Sequence, residues 1–331
     1  MPPTARQPVY DAYWRFAAAR QDIFYRRISG QPGPWTDDPI LRTFKFCNTY
    51  RASDRVSQYL IRHVIHSDRA AGLAPEDVFL RVVLFRLFSK EPTWEALERE
   101  TGGLRRATLD PERLGKVLDG LRARQPIYTA AFILAPGNGL GHREKHRNHL
   151  ELVRRMFQPG GLGRDLARAR TLSAMFDSLC RWPMIGTFMG YQLAIDLNYT
   201  PHLAFSEDSF TVPGPGALRG LRKVFQDFGG LTPQAMIMEM VRRQDAEFER
   251  LGIEWRGLFG RRLHAIDCQN LFCEVDKYSR VAFPQLASNR TRIKQTFVPS
   301  ASQLSLFYPP KWDINDRVAL FTGRAAAASP A

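Results

Sequence analysis

The stretch that most limits what this chain can fold into runs from Leu172 to Asp208. Leu172, Met175, Phe176 and Leu179 recur at helical spacing, Pro183 and Gly186 interrupt the pattern, and Phe188, Tyr191, Leu193 and Ile195 open a second helix. The spacing predicts a helix, a tight hairpin and a helix, with the hairpin at 179–197. A glycine ahead of a helix can take positive φ and leaves backbone N–H groups uncovered, so Gly186 and Thr187 are candidates for gripping an oxyanion such as a DNA phosphate. Such a contact holds a nucleic-acid backbone and does not read bases. A polar turn, Ser206-Glu207-Asp208, follows, placing Asp208 22 residues beyond Gly186. An ordinary helix turn followed by a loop carboxylate is the plainer alternative.

The rest of the chain repeats the helical theme. Val9, Tyr13, Phe16, Ile23 and Phe24 predict an amphipathic helix over 8–28, ended by Gly30-Gln31-Pro32-Gly33-Pro34, and Thr36-Asp37-Asp38-Pro39 has the signature of a helix start. Phe44 to Leu60 reads as a second helical stretch, with Arg51, Asp54, Arg55, Gln58 and Arg62 on one face. That stripe is either a solvated face or the lining of a groove for phosphate and base. Residues 75–124 read as helical scaffold, and 232–250 as a helix capped by Thr232-Pro233. Residues 261–280 place Asp267, Asn270, Glu274 and Lys277 opposite Ala265, Cys268, Phe272 and Val275. Alternating β-runs are scarce, so the expectation is an all-α protein: one composite helical body over 8–300, with an Ala-rich flexible tail at 323–331.

Charge narrows the partner. A formal net charge of +14 and a pI near 10.0 favour a polyanion, with a generally basic proteome as the alternative. Lys45, Arg51, Arg55, Lys277, Arg290, Arg292 and Lys294 join Gly186 and Thr187 as candidate DNA contacts. There is no long apolar run and no apolar signal core, so no membrane partner and a cytoplasmic location are expected. No obligate protein partner is evident. Four scattered cysteines make neither a disulfide framework nor a cluster site. His142, His146 and His149 share a helix face but lack complementing ligands beyond Glu144 and Glu151, so no metal is expected. Neither Thr101-Gly102-Gly103 nor the Gly-rich run at 135–141 has the flanking pattern of a nucleotide cradle, and no cofactor is expected.

Pro183 and Gly186 resemble the helix-hairpin-helix of the DNA glycosylase superfamily, in which a Leu-Pro-Gly-hydrophobic-Gly hairpin precedes a catalytic aspartate; Met184 stands here for the first glycine. Residues 35–41, 45–58, 210–217 and 267–278, the last reading Asp-Cys-Gln-Asn-Leu-Phe-Cys-Glu-Val-Asp-Lys-Tyr, look like the α-glutamyl/putrescinyl-thymine pyrophosphorylase family, which is itself similar to those glycosylases. The similarity spans roughly residues 10–300. It implies a helix-hairpin-helix glycosylase-like body with a central cleft, acting on hypermodified pyrimidines in DNA: some members join amines to activated 5-hydroxymethyluracil, others excise modified phage bases. Phe188 stands where lyase-type glycosylases carry lysine, so no Schiff base is expected.

The resulting expectation is a monofunctional DNA N-glycosylase, a hydrolase of antiviral defence. It would flip a bulky 5-hydroxymethyl pyrimidine, such as glucosylated hydroxymethylcytosine, out of double-stranded bacteriophage DNA and leave an abasic site. Asp208 would stabilise the cationic sugar, with Glu207 as its rival. Asn48, Gln58, Gln269, Asn270, Glu274 and Tyr278 are the candidate base pocket, structural hydrogen bonds being the alternative for the amides. The competing functions are a transferase or pyrophosphorylase acting on activated 5-hydroxymethyluracil and a noncatalytic DNA-binding module.

Overall fold

Prolines and short polar side chains start helices where the sequence places them. The Asp38 carboxylate accepts from the backbone N–H groups of Ile40 and Leu41 at 2.7 and 3.0 Å, Asp110 caps its helix through Glu112 and Arg113, and Thr232 accepts from Ala235. The structure is a computed structural model that describes residues 2–130, 135–286, 290–299 and 305–323. Asn289 and the expected tail beyond Gly323 lie outside the described residues.

The order is β1 (Thr4–Ala5), α1 (Gln7–Ile28), α2 (Pro39–Thr43), α3 (Arg55–Tyr59), α4 (Pro75–Phe88), α5 (Glu91–Thr101), α6 (Pro111–Arg122), α7 (Lys145–Met156), α8 (Leu162–Arg168) and α9 (Leu172–Cys180). It continues with α10 (Thr187–Leu197), α11 (Pro215–Val224), β2 (Phe225–Asp227), α12 (Pro233–Arg250), α13 (Ala265–Ala282) and α14 (Asn315–Thr322). The protein is all-α; β1 and β2 pair as a short antiparallel ladder.

The chain divides into two units. The first draws on Met1–Asp54, Phe210–Leu306 and Ile314–Ala327. Its core joins Tyr13, Trp14 and Ala17 of α1 to Leu271, Phe272 and Val275 of α13, with the rings of Tyr13 and Phe272 4.7 Å apart. The second unit is built from Arg55–Ser209 and Phe307–Asp313 around α4, whose residues Val78 to Phe88 are all buried. A helix apolar on every side must be enclosed on every side.

Two local expectations are corrected. Phe44 to Leu60 is not one helix: Lys45 N–H donates to Gln295 O at 3.0 Å, Phe297 N–H to Thr43 O at 2.9 Å, and Phe44 bridges Thr296. Arg51–Ser53 is a single 3-10 turn and Asp54 is extended, at φ −71° and ψ 144°. Helix resumes only at α3 and widens into a π-helical Leu60–Ile65. The five residues expected on one face are therefore split, Arg51 and Asp54 in the first unit, Arg55, Gln58 and Arg62 in the second. In the hairpin between α9 and α10, Gly186 has φ −78°, and the left-handed residue is Met184, at φ 66°.

Candidate functional site

Because Phe44 to Asn48 is not helical, the N–H groups of Cys47 and Asn48 are not spent in a helix and are taken by carboxylates. Cys47 N–H donates to Glu274 Oε2 at 3.0 Å, and Asn48 N–H to Asp54 Oδ1 at 2.8 Å. Arg20 approaches from α1, where it falls four residues after Phe16 and four before Phe24 on the apolar stripe. Its guanidinium donates to Cys47 O at 3.0 Å and Asn48 Oδ1 at 2.9 Å. The Asn48 amide in turn donates to Ser53 O at 2.8 Å. From α13, Lys277 Nζ sits 2.5 Å from Glu274 Oε2 and 5.4 Å from the centre of the Phe46 ring. Arg20, Cys47, Asn48, Asp54, Glu274 and Lys277 thus converge within the first unit.

Cys47, Asp54 and Cys273 each keep some accessible surface, yet crowding by protein raises the pKa of all three. We call the cluster they belong to the recess. Burial, reinforced by the charge of Glu274, pushes the Asp54 carboxyl up to about 6 against the opposing pull of the Asn48 N–H, Arg20 and Arg51. Burial holds the Cys47 thiol well above its ordinary value and the Cys273 thiol up to about 12, so neither is a thiolate nucleophile at neutral pH. Burial works against the charge of Lys277, but Glu274 and Cys47 outweigh it and its pKa is raised. A carboxyl of raised proton affinity is suited to general-base chemistry on a hydroxyl.

The other sequence candidates fall as follows. Tyr278 donates to Asp38 Oδ2 at 2.7 Å, tying α13 to α2. Gln269 is 1% exposed, donates to Cys273 Sγ at 3.4 Å and leaves Oε1 buried without a partner, while Asn270 is half-buried. Gln58 lies in the second unit, where its Oε1 accepts from Phe307 N–H at 2.7 Å. Arg51 is 4% exposed, and its N–H donates to Asp267 Oδ1 at 3.0 Å. Lys45, Arg290, Arg292 and Lys294 are exposed, as are Gly186 and Thr187 at the start of α10. Arg55 is exposed, with Nε 3.3 Å from Glu91. Glu207 and Asp208 are half-buried in the turn after α10, where Asp208 N–H donates to Ser206 Oγ at 3.4 Å. They belong to the second unit.

Sequence reasoning passed over Arg20 and did not single out Asp54. The available signals were a cation on an apolar stripe and a lone acid between Arg51 and Arg55. Two of the three histidines are buried and bonded within the fold, His146 Nε2 lying 2.7 Å from Asp119 Oδ1 and His149 between Pro136 O and the Tyr128 hydroxyl at 2.9 and 3.1 Å, while His142 is exposed. Among the described residues no group of three or more His, Cys, Asp or Glu is arranged to hold a metal, and no helix is long and apolar enough to cross a membrane.

Comparison with known proteins supplies the context. The model of the family "5-hmdU DNA kinase, helical domain" matches residues 7–288. A 5-hmdU DNA kinase of Bacillus phage SP10 is 26% identical over 298 residues, covering 83% of this chain and 46% of the relative, so the chain spans about half the relative's length. No solved structure matches. These findings overturn the expected DNA N-glycosylase: a kinase moves a phosphoryl group and leaves the glycosidic bond intact, so the hydrolase, the abasic product and the roles of Asp208 and Glu207 in base release fall together. Of the resemblance read from the sequence, the coarser part stands, a connection to modified bases in DNA. With residues 7–288 matched, a span that takes in most of both units and all of Arg20, Cys47, Asn48, Asp54, Glu274 and Lys277, the chain belongs to the family of 5-hmdU DNA kinase helical domains.

Proposed function

We propose that this chain is the acceptor-side domain of a base-modifying transferase: it binds DNA containing a 5-hydroxymethyl pyrimidine and holds the hydroxymethyl oxygen in the recess for group transfer. The observation that supports this reading is Asp54, a partly accessible carboxyl pushed up to about 6 by burial and by the charge of Glu274, itself the partner of Lys277, with Asn48 N–H donating to it. Deprotonating a hydroxymethyl group as it attacks phosphorus needs a base of raised proton affinity beside the oxygen. The attack forms an oxygen–phosphorus bond, breaks the bond from phosphorus to the donor's leaving group, and passes the hydroxyl proton to Asp54. A stacked base cannot reach a recess, so the nucleotide must turn out of the helix. The amide of Asn48 offers a donor and an acceptor to a pyrimidine edge.

The test is an affinity comparison on matched oligonucleotides carrying thymine, 5-hydroxymethyluracil or 5-hydroxymethylcytosine at one position. Tighter binding of a hydroxymethyl base, lost in Asp54→Asn, is expected. Equal affinity for the hydroxymethyl bases and thymine overturns the reading.

A further inference from the structure

We propose that Arg219, Lys223 and Arg280 form a binding site for a phosphate group. The site begins with the close approach of α11 to α13: a Cβ on Gly220 would stand 2.0 Å from Phe272 O, and one on Gly216 3.0 Å from Cys273 Sγ. Only glycine permits that distance, which brings Arg219 and Lys223, one turn apart on α11, against Asp276 and Arg280, one turn apart on α13. Asp276 is fully buried. Its Oδ2 accepts from Arg219 Nε at 3.1 Å and Arg280 Nη2 at 2.6 Å, while Lys223 Nζ lies 3.1 Å from Oδ1 and donates to Asp276 O at 3.0 Å.

Three cations therefore share one carboxylate, and among the described residues no second carboxylate meets them. Burial works against the charge of Asp276, but Arg280 and Lys223 outweigh it and keep the group below its ordinary value, so it stays an anion at neutral pH. The cluster holds two positive charges in surplus. The carbonyl ends of α11 and α13 offset part of this, since Lys223 and Arg280 lie in the last turns. What remains is a strong preference for an anion, because uncompensated buried charge is costly.

A second observation points to a ligand. The Arg280 side chain is 7% exposed, its Nη1 is held by Arg292 O at 3.0 Å, and among the described residues its Nε, like Asp276 Oδ1, is buried with no hydrogen-bond partner. Arg219 is 20% exposed and opens the cluster to solvent. Arg292 continues into the exposed Arg290 and Lys294, so the same surface suits a phosphodiester chain. Phosphate oxygens satisfy a guanidinium fork with short charge-assisted bonds. The charge of Arg219 also bears on Cys273, as do those of Glu274 and Lys277, which places the cluster beside the proposed base recess. The inference deepens the proposed function but stands on its own residues.

The experiment measures binding of inorganic phosphate, of an unmodified duplex and of an oligonucleotide carrying 5-hydroxymethyluracil, each at fixed ionic strength with chloride as the control anion. Arg219→Gln, at the open edge, should weaken phosphate-bearing ligands about tenfold and lower the salt slope for DNA by about one, with Arg219→Lys recovering much of both. Thermal unfolding in phosphate-free buffer checks that both variants fold. Binding of phosphate and both DNAs with no preference for the modified base supports this site while refuting the proposed function. Binding of DNA but not free phosphate, lost in Arg219→Gln, assigns the site to the DNA backbone. Unchanged affinity and salt slope in Arg219→Gln for every ligand overturns the proposal.

Discussion

Arg81–Glu98 in the second unit and Lys277–Glu274 in the first are ion pairs of the same charge type, closed to very different degrees. The Arg81 side chain is 0% exposed, and its guanidinium is saturated by Val64 O at 2.9 Å, Leu104 O at 3.2 Å and Glu98 Oε1 at 2.5 Å. Leu104 N–H satisfies the same carboxylate oxygen at 3.0 Å. Lys277 is 27% exposed and shares its recess with a carboxyl that titrates near neutrality. A buried pair fully bonded to backbone holds a scaffold in register, whereas a pair left open on one side presents its charge to a ligand.

The sharpest test removes one partner from each. Arg81→Met takes the short partner from the buried Glu98, leaving it Leu104 N–H and the exposed Arg69 at 3.6 Å, and should cost about 3–5 kcal/mol. Lys277→Met removes a cation that is 27% exposed and leaves the buried Glu274 its bond from Cys47 N–H, so it should cost less, about 1–3 kcal/mol. Equilibrium urea unfolding measures both, and equal losses would erase the distinction between scaffold and site.

The helix contacts are compared next. Gly220→Ala drives a Cβ into Phe272 O at 2.0 Å and should destabilise the first unit by about 1–3 kcal/mol. Gly186→Ala, with nothing within 4 Å of its Cβ and an ordinary φ of −78°, should change stability by less than about 0.5 kcal/mol. If the two variants melt together, the close packing of α11 on α13 is not what organises the site.

A smaller effect, of unusual sign, is expected at Asp54. Its folded pKa of about 6 lies above the ordinary carboxyl value of 3.8, so between these values the folded state holds a proton the unfolded state has lost. Stability from this group is present at low pH and is lost as pH rises through about 6. Asp54→Asn, which can still accept from Asn48 N–H, should therefore raise Tm above pH 6 while weakening binding of hydroxymethyl-base DNA. A variant with lower Tm at pH 8 than the parent contradicts a site held at the expense of stability.

The smallest change concerns the hairpin. Met184 adopts φ 66°, where a side chain is strained, and Met184→Gly should stabilise the second unit by up to about 1 kcal/mol. A loss of stability would mean that the partly buried Met184 side chain contributes more by packing than its backbone costs.

The sequence by itself determined the helical class and most helix starts. The helix expected over 8–28 is α1, Thr232-Pro233 opens α12, and the hairpin breaks where Pro183 and Gly186 stand. Each signal acts over one turn: a cap reaches two or three residues ahead, and proline fixes its own φ. The amides read as base-pocket candidates were legible as polar groups, but their partners were not, which is why Gln58 turned out to hold Phe307. Only the tertiary structure decided that Phe44 to Asn48 is not helical, because the groups that hold it there, Gln295 and Glu274, lie more than two hundred residues away. It also decided which carboxylate is perturbed. Asp54 and Asp208 are both loop aspartates in the sequence, and the difference arises from burial and from Glu274, which α13 brings across 220 residues of chain to face Asp54. Periodicity records which face of an element is apolar; proton affinity is set by every charge and dipole that folding gathers around a group, and that sum exists only in three dimensions.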